Sequence, residues 1–266
     1  MKNIKDCRRI TVKIGSSTLT HSATGRLNIR RIEALVRVLS DIKNAGKEVT
    51  LVSSGAVAAG VAKLGLSPAK RTLAEKQALA AVGQTELMRL YERLFASYGH
   101  SVGQILMTKD VVDDSHRLEL VKNTFTQLYD FSCVPIVNEN DSVSSEELQF
   151  GGNDTLSAYV AIVCGSDLLI NLSDIDGLYD SDPRKNPDAK LIPVVEKIDE
   201  KIISYAGGAG TDRGTGGMAT KLKAAKIAGD VGIPMIIMNG RDPERLYSIL
   251  DGEHLGTYFC PENELY

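Results

Sequence analysis

The sequence predicts an α/β protein with an open, mostly parallel sheet flanked by helices. Strand-like and helix-like segments alternate from end to end, the pattern of a sheet whose crossovers are helical. The 266 residues, 43% of them hydrophobic, suffice for one large core or two closely joined ones. No internal repeat, low-complexity tract or long linker interrupts them, so 1-266 reads as one domain with a soft lobe division near 165.

Ile10, Val12 and Ile14 alternate with Thr11 and Lys13 as a strand, closed by Gly15-Ser16-Ser17. Lys13 is thereby expected near the strand's carboxyl end. Ile32, Leu35, Val36, Leu39 and Ile42 recur at helical spacing after an Asn28 cap, and Gly46 marks the stop. A strand over Val49 to Val52 runs into Ser53-Ser54-Gly55-Ala56, and Val-Ala-Ala-Gly-Val-Ala reads as a tightly packed helix. Thr72 and Glu75 form a capping box before a long helical segment reaching Tyr98, packed through Leu79, Val82, Leu87, Leu90 and Leu94. A strand from Gln104 to Met107, a helix from Ser115 to Asp130 and a strand from Val134 to Val137 follow, delivering Asn138-Glu139-Asn140-Asp141. Gly151-Gly152-Asn153-Asp154 leads into an apolar helix ending near Gly165, then comes a buried strand, Leu168 to Leu172, with Ser173-Asp174 at its end. The loop from Gly177 to Arg184, with its acidic residues and proline, is expected to be exposed and irregular. After a glycine-rich turn come a helix, a strand from Met235 to Met238 and a helix opened by Pro243.

Composition excludes several classes. A net charge of -3 with scattered basic residues gives no electrostatic footprint for nucleic acid. Cys7, Cys133, Cys164 and Cys260 are isolated from one another, which excludes a C-x-x-C zinc or redox motif and fits buried, reduced thiols. His21, His100, His116 and His254 never fall at ligand spacing and are expected to be structural or surface residues. Asp174, Asp176 and Gly177 resemble the start of a calcium loop, but Lys185 stands where its bidentate Glu belongs. With no apolar leader and no membrane-length apolar run, the chain is expected to be cytoplasmic, with no membrane partner.

The chemistry concentrates at expected strand ends, where ligands of open α/β sheets gather. Gly214-Thr215-Gly216-Gly217-Met218-Ala219-Thr220-Lys221 is a glycine-rich turn ending in a lysine as an amphipathic helix begins. Its amides, the helix N-terminus and Lys221 could together hold a phosphate. It is not a Walker A loop, which needs Gly before the lysine and Ser or Thr after it. A plain connector could share this composition, so the turn alone decides nothing. Lys13-Ile14-Gly15-Ser16, Ser53-Ser54-Gly55, Asn140-Asp141 and Ser173-Asp174 fall at comparable positions, and shared placement is what favours a site. Two lysines on glycine-rich turns, with no histidine or cysteine nucleophile, point to phosphoryl transfer, which needs positioning and charge neutralisation above all.

The ordered motifs Val-Lys13-Ile-Gly-Ser-Ser, Val-Ser-Ser54-Gly-Ala, Val-Pro-Ile-Val-Asn-Glu-Asn-Asp141, Gly-Gly-Asn153-Asp154-Thr-Leu-Ser-Ala, Asp-Gly-Leu-Tyr-x-x-Asp-Pro-Arg184 and Gly-Thr-Gly-Gly-Met-Ala-Thr-Lys221 span nearly the whole chain. Together they resemble the amino acid kinase family, and specifically its glutamate-phosphorylating branch. The resemblance implies a three-layer sandwich and ATP-dependent phosphorylation of the L-glutamate side chain, the step that commits glutamate to proline synthesis. It implies an amino-terminal lobe for the amino acid and a carboxyl-terminal lobe for ATP. By position, Lys13 would contact the transferring phosphoryl group, Lys221 would steady the developing charge, and Asp154 would orient both lysines. Gly15, Ser16 and Gly55 would cradle phosphate, and Ser54, Asp141 and Asn153 would bind glutamate, with Asp141 facing its α-ammonium group. Ser173, Asp174 and the segment Thr215, Gly216, Gly217, Met218, Ala219, Thr220 and Lys221 would contact the nucleotide, with Mg²⁺ held mainly by ATP phosphates and water. The resemblance also implies proline as feedback inhibitor and a homo-oligomer, dimer or tetramer. Many bacterial relatives continue into a PUA domain, so a kinase-only form is expected.

Other acceptors within the family would be acetylglutamate, carbamate or uridylate. An acetylated amino acid has no α-ammonium for the acidic Asn-Glu-Asn-Asp loop, and a nucleotide acceptor would want a basic cluster that the amino-terminal half lacks. A nucleotide-binding sensor without chemistry would have no need of both lysines and Asp154.

Overall fold

The structure, a computed structural model, describes residues 3–67, 70–144, 150, 152–207 and 217–262. After a 3₁₀ turn at Ile4–Asp6 the chain runs β1 (Arg9–Ile14), α1 (Ser16–Leu19), α2 (Ile29–Asn44), β2 (Glu48–Ser53), α3 (Ala56–Lys63), α4 (Leu73–Ala96), β3 (Val102–Met107), α5 (Lys109–Asp113), α6 (Ser115–Asp130) and β4 (Val134–Glu139). It continues through α7 (Asn153–Val163), β5 (Leu168–Ser173), β6 (Val194–Val195), α8 (Glu200–Tyr205), α9 (Met218–Gly229), β7 (Met235–Asn239), α10 (Arg245–Leu250) and β8 (Thr257–Phe259).

The strands form one eight-stranded sheet in the order β3-β4-β2-β1-β5-β7-β8-β6. Neighbours are parallel except β7 and β8. The expected strands are all present, each extended by one or two residues at one or both ends. The α6 helix has the expected bounds, and the Asn28 cap and the Thr72–Glu75 capping box both form. The helix expected to open at Pro243 begins two residues later, at Arg245. Elements α1, α5, α8, β6 and β8, each of six residues or fewer, had no expectation, because such segments are too short to carry a period.

Helices cover both faces, making three layers. On one, α2, α4 and α10 pack over Ile10, Val12, Ile14, Leu51, Ile136, Ile170 and Ile236. On the other, α7 and α9 cover Leu169, Met235 and Ile237, while α6 and α7 cover Val52, Ile105 and Val137. Thus Thr11 and Lys13, the polar half of β1's alternation, are also buried. Covering helices make the strand two-sided, and its polar residues become interior groups that need partners.

One sequence expectation is corrected here. Gly177 and Leu178 are buried, not exposed: Leu178 N–H donates to Thr257 Oγ1 at 2.8 Å, and Tyr179 forms a bridge with Leu191. The loop folds down on β8, a strand that its own composition could not announce. Its later residues Asp180, Asp182 and Arg184 are exposed, as expected.

Helices α3 and α4 meet through glycines. A Cβ on Gly83 would lie 1.7 Å from the Ala56 carbonyl oxygen, and one on Gly60 would lie 2.0 Å from that of Leu79. Neither can fit without separating two backbones. Gly83→Ala is therefore expected to cost about 3 kcal/mol, the upper end for overpacking. Urea denaturation should show a lowered midpoint, and an unchanged midpoint would refute the contact's importance.

The topology opens the cleft. Strand β1 lies between β2 and β5, and the chain passes from β4 to β5 across β1 and β2 by way of α7. Connections from the central strands depart in opposite directions, leaving a crevice at their carboxyl ends.

Candidate active site

That crevice is a cleft of about 720 Å³. Lys13, Gly15, Ser16, Ser54, Gly55, Asp141, Asn153, Asp154, Ser173, Asp174 and Lys221 all line it, gathered from six stretches of chain. Gly217, Met218, Ala219 and Thr220 form the cap and first turn of α9 beside Lys221, outside the cleft lining. Thr215 and Gly216, with Gly214, lie outside the described residues.

Two glycines set the approach of the helices. Gly55, at φ 106° and ψ 0°, turns β2 into α3, and Gly152, at φ 114° and ψ 161°, caps α7. The second conformation is essentially closed to residues with a side chain. It sends Asn153 and Asp154 into the cleft from the first turn of α7.

The floor is a buried ionic cluster. Asp154 is 1% exposed, and Lys13 and Lys221 are each 5% exposed. Lys13 Nζ donates to Asp154 Oδ1, and Lys221 Nζ donates to Oδ2 at 3.0 Å. Asn171 Nδ2 donates to Oδ1 at 2.8 Å and Thr220 Oγ1 to Oδ2 at 2.8 Å. Burial alone would raise the Asp154 carboxyl, but the two ammonium groups hold it well below the usual carboxylate range. For Lys13, burial outweighs the pull of Asp154, and repulsion from Lys221 adds to it, so its ammonium is a stronger acid than an ordinary lysine. A side chain on Gly15 would meet that ammonium at 3.3 Å. Glycine there keeps the charge open to the cleft.

The opposite wall is a chain of amides. Asn153 Nδ2 donates to Ser54 Oγ at 2.8 Å and to Asn138 Oδ1 at 2.9 Å. Asn138 Nδ2 in turn donates to Gln84 Oε1 of α4 at 2.9 Å. Glu139 accepts from Ser144 Oγ and from Phe150 N–H, each at 3.1 Å. Burial, then the charge of Asp141, raises the Glu139 carboxyl, and burial raises that of Asp141. On the remaining side Asp174 pairs with Arg184 at 2.9 Å.

Asn138, Gln84 and Asn171 received no role from the sequence. Asn171 had a visible signal, a lone amide inside the apolar run Leu-Leu-Ile-Asn-Leu. Gln84 had none, being one polar residue among many on a long helix.

A cleft floored by two lysines sharing one aspartate, at the switch point of a parallel sheet, suits transfer of a phosphoryl group to a small acceptor. The chain belongs to the amino acid kinase family, whose model matches residues 8–239. It is 56% identical over 256 residues to the glutamate 5-kinase of Clostridium tetani, covering 96% of each chain. To the glutamate 5-kinase of Clostridium perfringens it is 53% identical, with 97% of each chain covered. That of Carboxydothermus hydrogenoformans is 51% identical across 98% of this chain and 70% of its own. Among solved structures, UMP kinase from Bacillus anthracis superposes with a TM-score of 0.66 at 17% identity, covering 96% of this chain and 97% of that one. An isopentenyl phosphate kinase from T. acidophilum gives 0.63 at 19% identity, covering 94% and 99%. These likenesses establish the three-layer fold. Among the described residues no helix is long and apolar enough to cross a membrane.

Proposed function

We propose that the chain transfers the γ-phosphoryl group of ATP to the side-chain carboxylate of L-glutamate, giving L-glutamyl 5-phosphate, the first step of proline biosynthesis. The observation that carries this is the Lys13–Asp154–Lys221 cluster facing a wall made by Ser54, Asn153 and Asp141. A glutamate carboxylate oxygen forms the new bond to the γ-phosphorus as the bond from that phosphorus to the β,γ-bridging oxygen breaks, and ADP leaves. The acceptor is already ionised near neutral pH, so no base is needed. Asp154 then serves as a shared counterion that holds Lys13 against the moving phosphoryl group and Lys221 against the β- and γ-phosphates. Gly15, Ser16 and Gly55 present amides to phosphate. Ser173, Asp174 and the segment 215–221 take the nucleotide.

The division of labour follows the lobes: residues up to about 165 hold the amino acid, and those beyond hold ATP. Both oxygens of Asp154 are taken by nitrogen and hydroxyl donors, and among the described residues no three His, Cys, Asp or Glu side chains form a metal cage. This donor set fits a Mg²⁺ that arrives on the nucleotide's phosphates and keeps its waters. That ion would neutralise phosphate charge during transfer. Proline, sharing an α-ammonium and α-carboxylate with glutamate, would compete for the pocket around Asp141. A homo-oligomeric enzyme working in the cytoplasm completes the proposal, the oligomer being testable by light scattering.

Purified protein given ATP, Mg²⁺, L-glutamate and hydroxylamine is expected to accumulate glutamyl hydroxamate, less so with proline added. Absence of product alongside turnover of another acceptor, such as acetylglutamate, would reject the substrate. Asp141→Ala should raise the glutamate KM by about 10-fold or more, the worth of one lost charge-assisted hydrogen bond, with the ATP KM little changed. Because burial raises the Asp141 carboxyl, it gains its proton at a higher pH than an ordinary aspartate. Glutamate KM should therefore climb on the acid side, and less so in Asp141→Asn. An effect confined to ATP would contradict the assignment.

A further inference from the structure

We propose that Asn171 is a positioning residue of the phosphoryl-transfer site, holding the Asp154 carboxylate in the one orientation that serves both lysines; the proposal rests on the kinase function above. Asn171 is wholly buried in β5, and in the parallel register it lies directly beside Lys13 of β1. Its Nδ2 donates to Asp154 Oδ1, the same oxygen that receives Lys13. The amide can take only this orientation, since its carbonyl oxygen turned toward a carboxylate would be repelled. Its own Oδ1 meets no hydrogen-bond donor among the described residues.

A buried carbonyl without a donor destabilises a fold, and a leucine of similar branched shape would carry no such orphaned oxygen. Every other core-facing position of β5 from Leu168 to Leu172 is apolar. Asn171 is thus a stability loss at a position with an easy apolar alternative, and what it supplies in return is one hydrogen bond to Asp154. That bond matters for geometry. The two ammonium groups each hold a different carboxylate oxygen, and rotation about the Cβ–Cγ bond would disturb both contacts at once. A donor fixed on a central strand stops that rotation, because β5 is hydrogen-bonded on both sides. Thr220 does the same for Oδ2 from α9, so each oxygen carries one lysine and one neutral donor.

The decisive comparison is Asn171→Leu, which removes the donor together with the unsatisfied carbonyl, against Asn171→Ala, which removes both and leaves a cavity. For Asn171→Leu, kcat in the hydroxamate assay is expected to fall about 10- to 100-fold, the scale of a misplaced catalytic group, with glutamate KM within about twofold. Asn171→Ala should lose kcat to the same extent while melting below Asn171→Leu. A readout without any acceptor is the affinity of a non-hydrolysable ATP analogue, which keeps the γ-phosphate that Lys13 would meet, by calorimetry across alkaline pH: the limb where binding weakens should move to lower pH in both variants as Lys13 loses its fixed counterion. Unaltered kcat and an unmoved limb would overturn the proposal, as would kcat losses that follow the two melting temperatures. Should Asn171→Leu fail to fold, Asn171→Ala decides, since a lowered kcat with an unmoved glutamate KM and a moved limb supports the role and an unaltered kcat opposes it. The unaltered protein's failure to phosphorylate glutamate would reject the acceptor, while the analogue limb would still test Asn171.

Discussion

Asp154→Asn should leave a folded but weakened protein with little activity. The substitution keeps shape and removes one charge, leaving two ammonium groups, each 5% exposed, without their common counterion. Breaking a buried pair from one side costs about 3–5 kcal/mol, because the remaining charge keeps its desolvation penalty and loses its partner. Here two lysines lose it together, which places this substitution at the upper end of that range. Thermal unfolding of both proteins across pH tests the electrostatic origin. The Asp154 carboxyl is held below its unfolded value, so its contribution is complete above about pH 4 and is lost as pH falls through the depressed folded value. The gap in melting temperature should narrow in strong acid and stay constant around neutrality. An equal gap at every pH would mean that packing, not charge, is what the substitution disturbs. The kcat loss should reach about 100-fold or more, since both lysines lose their aim.

Lys221→Ala is expected to give the larger kinetic effect with the milder structural one. It leaves Asp154 paired with Lys13, an intact one-to-one pair, so the fold should hold. What disappears is positive charge on the nucleotide side as the phosphoryl oxygens redistribute theirs. Removing one such preorganised group costs about 100- to 1,000-fold in kcat. Glutamate KM should stay within about threefold, because the proposed role places the lysine on the nucleotide side of the transferring group, where it acts chiefly in the transition state. Steady-state kinetics with glutamate and ATP varied separately would separate the two. Unchanged kcat with a raised ATP KM would make Lys221 a binding residue only. Lys221→Arg should not restore the rate, since a planar guanidinium cannot occupy the buried point-charge position at Asp154 Oδ2, an oxygen that Thr220 also bonds.

Much of this site could be read from the chain because strand ends advertise themselves. Lys13 before Gly15, Ser54 before Gly55 and Asp154 after Gly152 each join an apolar run to a turn, and periodicity located those runs within two residues. What periodicity cannot carry is partnership. Lys13 and Asp154 are 141 residues apart, and only the family resemblance linked them before the fold did. The Asn138–Gln84 bond is hidden for the same reason, as nothing about a glutamine on an amphipathic helix says which strand it will face. Burial of Gly177 and Leu178 was missed because the covering strand, Thr257–Phe259, is three residues long and pairs antiparallel within an otherwise parallel set. Asn171 was legible as an oddity but not as a function, since a polar residue inside a strand acquires meaning only from what lies across the layer.

At the tip of α7, Asn153 and Asp154 are adjacent in sequence, yet one turns to the serine and amides of the acceptor wall and the other to the lysines. A single glycine conformation, that of Gly152, sets both directions at once. Any drift of this helix end must disturb acceptor and donor together, so it is poor raw material for a change of substrate. New acceptors are expected to evolve through the loops after β2 and β4, where Ser54 and Asp141 can be exchanged while the lysine cluster stays in place. The fold in this way separates a part that can be inherited unchanged from a part that natural selection can rewrite.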